Sequence, residues 1–115
     1  MENAEIQKSN PFTIAGTVEY LPGSVNNRII FKKITGTINV VAFATGEFMP
    51  IKVSPFDTFI QIIDGQAEIT IDDRILNVEK GESIIVPAHS PSGIKANMQF
   101  KMLSTVIKSG YEEVY

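Results

Sequence analysis

The stretch Gly46 to Gly65, GEFMPIKVSPFDTFIQIIDG, constrains the fold of this chain more than any other. It sets two short extended runs between two glycines, with Pro55 dividing them. Pro55, which has no amide to give to a sheet ladder, is read as the break between them. Lys52 and Ser54 are two residues apart and share a face when extended, and Thr58, Ile60 and Ile62 share one in the second run. Three polar side chains, Lys52, Ser54 and Thr58, are therefore expected to converge inside a barrel. None of them offers the imidazole, thiolate or carboxylate that transition metals prefer.

The remainder of the chain continues this rhythm. Thr17 to Tyr20 is a short strand candidate closed by Pro22-Gly23, and Arg28 to Ile34 is rich in β-branched and aromatic residues. Thr37 to Thr45, TINVVAFAT, is apolar on both faces and is expected to be central. Gln66 to Ile71 alternates cleanly, Asp72-Asp73 turns, and Arg74 to Val78 returns with Ile75 and Leu76 on different faces. Glu82 to Val86 is another strand, ended by Pro87. Ala88 to Gly93, AHSPSG, reads as a loop. Ile94 to Asn97 and Phe100 to Lys108 are expected to form a last hairpin. No stretch keeps a helical period over three turns. Nine or ten short strands with Gly, Pro, Asn and Asp punctuation indicate an antiparallel sandwich or barrel.

Length and composition narrow the function. At 115 residues one domain is expected, with a core that needs no staples. A net charge of −3 lacks the basic excess of a nucleic-acid footprint, and Lys32 and Lys33 face opposite ways on a strand. With 0 cysteines, disulfides and thiolate chemistry are excluded. No apolar run approaches the roughly 18 residues of a membrane helix, and the polar start, MENAEIQKSN, has no signal core. No nucleic acid, no membrane and a cytoplasmic location are expected.

The spacing around these turns resembles the small single-domain cupins. Their first motif runs Gly, five residues, His-x-His, three or four residues, Glu, six residues, Gly. Here Gly46 is followed by five residues, Lys52-Val53-Ser54, three residues, Thr58, six residues and Gly65. Their second motif runs Gly, five residues, Pro-x-Gly, two residues, His, three residues, Asn. Here Gly81 is followed by five residues, Pro87-Ala88-His89, two residues and Ser92. The phrases DGQAEITIDD and KGESIIVPA are also similar to that family. The resemblance covers roughly residues 17 to 108 and implies an all-β, single-domain double-stranded β-helix, an RmlC-like jelly-roll barrel, paired as a homodimer. It divides the chain into an N-terminal arm (1–16), a barrel (17–108) and a tail (109–115), with Phe12 and Ile14 tucking the arm against the body.

The resemblance also defines a departure. Lys52, Ser54, Thr58 and Ser92 stand where metal-binding cupins place His, His, Glu and His. A site with three hydroxyls and one ammonium repels a cation, so no metal and no cofactor are expected. The turn-setting glycines and Pro87 persist because the fold needs them in any case.

Each candidate residue has a functional and a structural reading. Lys52 could hold a carboxylate or phosphate, or its stem could carry the ammonium out to water. Ser54, Thr58 and Ser92 could form a neutral hydrogen-bonding lining or fill a collapsed pocket. His89, the sole histidine, could move protons at the barrel mouth, but a solvent-facing turn residue is the simpler reading. Ser92 and His89 as nucleophile and base lack an orienting acid. Asp57 points away from the Thr58 face and is expected to cap backbone amides. Met49, Met98 and Met102 could line an adaptable cavity or fill core. The ligand-binding set expected is Lys52, Ser54, Thr58, His89, Ser92 and Met102, with no catalytic residue assigned. The leading expectation is a metal-free small-molecule binding or sensing module. A metal-independent isomerase or epimerase using Lys52 or His89, and a structural dimerisation domain, remain open beside it. For the last, Phe59, Gln61 and Ile63 form the face that a partner or a second sheet could cover.

Overall fold

The computed structural model describes residues 6–110. The first five residues of the expected arm, and residues 111–115 of the expected tail with Glu112 and Glu113, lie outside them. A short 3-10 turn, Ile14–Thr17, precedes nine strands. These are β1 (Val25–Lys33), β2 (Gly36–Phe43), β3 (Phe48–Lys52), β4 (Asp57–Asp64) and β5 (Gln66–Ile71). They continue as β6 (Arg74–Glu79), β7 (Ser83–Val86), β8 (Ser92–Lys95) and β9 (Phe100–Ile107). They pair antiparallel into a five-stranded sheet, β1-β2-β9-β4-β7, and a four-stranded sheet, β3-β8-β5-β6. Two such sheets face to face make a double-stranded β-helix, a jelly roll. Among the described residues no helix is long and apolar enough to cross a membrane.

The core follows from alternation. Ile60 and Ile62 on β4 point inward, as do Ala67, Ile69 and Ile71 on β5, and all five are buried. Phe43 and Phe100 lie opposite each other on β2 and β9 and stack at 4.5 Å, closing one end of the sandwich. β2 is buried on both faces, as its apolar run implied: Val41 and Phe43 face the sandwich core, while Val40 and Ala42 join a second cluster with Val18. That second cluster covers the outer face of the five-stranded sheet.

Three expectations are corrected here. Thr17 to Tyr20 is not a strand. Among the described residues no strand pairs with it, and Val18 and Tyr20 instead pack across the outer face beside Val40, Ala42 and Ile63. The Ala88–Gly93 loop ends earlier, because Ser92 and Gly93 enter β8, where they pair with Ile71 and Thr70. β8 and β9 form no hairpin: β8 pairs with β3 and β5, and β9 with β2 and β4. The link between them crosses from one sheet to the other. The expected hairpin β5–β6, with Asp72 at φ 56° in its turn, is present. Ile75 is exposed and Leu76 packs on the core.

The arm is latched as well as packed. Ile14 and Tyr20 pack on the second cluster, as does Ile63, whereas Phe12 is exposed. The Tyr20 hydroxyl donates to Asp64 Oδ2 at 2.5 Å, and Lys101 Nζ donates to Ala15 O at 2.6 Å while lying 5.0 Å over the Tyr20 ring. Of the face that a partner could cover, Ile63 is taken by the arm and Phe59 stays 39% exposed.

The switch between sheets at β4–β5 depends on Gly65. Its φ is +73°, and a Cβ there would lie 2.5 Å from Gln99 O. Gly81 also has positive φ, +90°, but nothing lies within 4 Å of an added Cβ. Gly65→Ala is expected to cost about 2–3 kcal/mol and Gly81→Ala about 1–2 kcal/mol, read from denaturant unfolding midpoints. Equal losses would contradict the role of the close approach.

Burial, then the Asp64 hydrogen bond and the Asp64 charge, push the Tyr20 hydroxyl well above its usual 10.0. Its proton therefore stabilises the fold fully below pH 10, and that stability is lost as pH rises through and beyond the unfolded value. Alkaline unfolding curves of the wild type are expected to fall more steeply above pH 10 than those of Tyr20→Phe. Parallel curves would show that the latch carries no linkage.

A candidate binding cavity in the open half of the barrel

Local structure brings the two motifs together. β3 ends at Lys52, and the chain turns through Ser54, whose Oγ accepts the Phe56 amide at 3.2 Å. A hydroxyl closing a turn onto the amide two residues ahead is a common device before a strand. Beyond the turn, Thr58 points inward from β4, between Val86 of β7 and Val106 of β9. Forty residues after Lys52, Ser92 sits directly across from it on β8. The second-motif loop is tied to the first: His89 N–H donates to Ser54 O at 2.7 Å, and Ala88 N–H to Asp57 Oδ1 at 2.8 Å. Asp57 thus caps a backbone amide, as its outward position implied.

These residues surround one cavity of about 470 Å³. Lys52, Ser54, Thr58, Ser92 and Met102 all line it, and Met49 does too. His89 does not: it is an exposed turn residue at φ 70°, so it and Ser92 are not brought together in the cavity. Met98 is likewise on the surface. The cavity fills the half of the sandwich away from the Phe43–Phe100 stack. Its floor is apolar, with Val41, Ile60, Ile94 and Met102. A second, shallower depression of about 180 Å³ lies on the outer face of the four-stranded sheet, against Phe48, Ile51 and Gly93. It contains none of the motif residues.

Three polar wall residues on the five-stranded sheet were not anticipated: Asn27 on β1, Asn39 on β2 and Ser104 on β9. They form a polar strip across adjacent strands. Asn39 and Ser104 are cross-strand partners, and Asn39 Nδ2 donates to Asn27 Oδ1 at 2.9 Å. Their signal was present in the chain. The inward row of β2 reads Thr37, Asn39, Val41, Phe43, so its apolar pattern is broken at two positions on one face. Asn39 Oδ1 and Thr37 Oγ1 are both buried without a hydrogen-bond partner. Each such atom costs about 1–3 kcal/mol if it stays unpaired.

The electrostatics of the wall are simple. Lys52, itself exposed, is the one charged side chain among the described lining residues, and no carboxylate opposes it. The four positions that would carry metal ligands in the resembled motif hold an ammonium and three hydroxyls. Among the described residues no three His, Cys, Asp or Glu side chains gather where a metal ion could be held. This donor set does not fit a transition metal.

Comparison with known proteins agrees with the architecture. No family model matches the chain, and no curated protein matches it. Solved structures do. A conserved protein of unknown function from Streptococcus pyogenes superposes with TM-score 0.87 at 26% identity, over 96% of this chain and 96% of that one. A cupin superfamily protein from Desulfitobacterium hafniense gives TM-score 0.86 at 25% identity, over 95% of this chain and 100% of that one. A cupin 2 conserved barrel domain protein from Leptotrichia buccalis gives 0.81 at 28%, over 84% of this chain and 47% of that one. With two antiparallel sheets and these neighbours, the chain has the jelly-roll fold of the small single-domain cupins.

Proposed function

We propose that this cupin-fold chain is a small-molecule binding module that takes a small, partly apolar anion in its barrel without a metal ion. The observation that carries the reading is the charge pattern of the cavity: one ammonium, neutral hydroxyls and amides, an apolar floor and no carboxylate. A volume of about 470 Å³ is within the range of small-molecule sites. An anion gains from Lys52 at the wall, whereas a cation meets an uncompensated positive charge. The floor of Val41, Ile60 and Met102 shelters an apolar body, and methionine adapts to its shape.

The test is thermal unfolding with small carboxylates and phosphates, set against amines of matched size. Anions are expected to raise Tm and amines to leave it unchanged. Lys52→Ala is expected to remove the anion shift while the unliganded protein keeps its Tm, since Lys52 is exposed and its loss opens no core. An anion shift unchanged in Lys52→Ala would contradict the assigned role of the lysine.

A further inference from the structure

The polar strip of Asn27, Asn39 and Ser104 narrows the ligand class further. These side chains come from the five-stranded sheet, while Lys52 and Ser92 come from the four-stranded one. β1 and β3, the strands that carry Asn27 and Lys52, are the end strands of their sheets, and each pairs with a single neighbour. A ligand between the sheets therefore meets a cation on one side and an amide–hydroxyl strip on the other.

One acceptor of the strip lacks a partner. Asn39 spends one amide N–H on Asn27, but its Oδ1 is buried and accepts nothing. Two residues back on the same face, Thr37 Oγ1 is also buried with no partner, but Thr37 lies outside the cavity wall. Buried polar atoms in folded proteins are almost always bonded, so an orphan on a residue that lines the cavity calls for an occupant. An aliphatic chain cannot supply that bond. A hydroxyl can, because it donates to an amide oxygen and accepts from an N–H or another hydroxyl.

Resting on the reading of the cavity as an anion-binding site, we propose that its ligand is a small hydroxylated carboxylate. Its carboxylate lies at Lys52 and its hydroxyls lie on the Asn27–Asn39–Ser104 strip. Recognition is by hydrogen bonds on one side and charge on the other. A plain fatty acid satisfies only the charge, and a neutral polyol satisfies only the strip.

The test uses the full chain, with gluconate, hexanoate and sorbitol as probes, by thermal unfolding and titration calorimetry. The first two are six-carbon acids with and without hydroxyls, and the third is a neutral six-carbon polyol. Gluconate is expected to bind at least about tenfold more tightly than hexanoate, and sorbitol more weakly than gluconate. Asn39→Leu is expected to weaken gluconate by about tenfold and leave hexanoate unchanged. Ser104→Ala serves as the second variant if Asn39→Leu fails to fold. Hexanoate binding as tightly as gluconate would overturn this proposal while leaving the anion site in place. Neither acid binding would overturn both readings. A gluconate preference that survives both variants would also overturn it, because the strip would then not be the source.

Discussion

The stack of Phe43 on Phe100, with centroids 4.5 Å apart, closes one end of the sandwich, and the rest of the structure depends on that closure. Around it Ile62, Ala67, Ile69 and Ala96 are fully buried, and Gly65 passes against the backbone of Gln99 and Phe100. Burial of this kind supplies most of the stability of a small domain. Because one half of the interior is filled by buried apolar side chains, the other half can hold polar side chains and space. The outer cluster of Val18, Val40 and Ala42, fastened by Tyr20 and Lys101, adds a second apolar layer behind the same sheet.

The open half is a compromise between stability and chemistry. Its floor of Met102, Ile60 and Val41 would pack well against more of the same. Instead the facing strands present Asn39, Ser104, Thr58 and Ser92, which no folding argument requires at those positions. Polar groups inside a sheet sandwich reduce stability unless they are hydrogen-bonded. One of them, Asn39, keeps a buried Oδ1 with no partner. A chain selected only for a sturdy scaffold would place valine or leucine there, and that contrast is the physical case for an occupant.

Much of the fold was legible in the sequence, and its failures have physical causes. The β5–β6 hairpin could be read because one face of β5 is buried and strict alternation follows from that. β8 was read partly as loop because Ser92 and Gly93 have no strand propensity; their conformation comes from pairing with β3 and β5. The false β8–β9 hairpin arose because nearness in sequence says nothing about which sheet a strand joins. Thr17–Tyr20 has strand-like composition but no ladder to join. At the site, Lys52, Ser54, Thr58, Ser92 and Met102 do reach one cavity, because the turns at Gly46, Pro55 and Gly81 set the motif geometry. His89 was named with them, and the turn that gives it positive φ also leaves it in solvent. Asn27, Asn39 and Ser104 lie outside the motif spacing, and only a reading of strand faces could have found them.

The most direct measurement is the metal content of tag-free protein by elemental analysis, before and after incubation with manganese, iron, nickel and zinc salts. Binding without a metal ion predicts near-zero stoichiometry in every case, because an ammonium and three hydroxyls offer a transition metal no adequate donor set. Close to one tightly held metal per chain would contradict the account and return metal-assisted chemistry to the cavity.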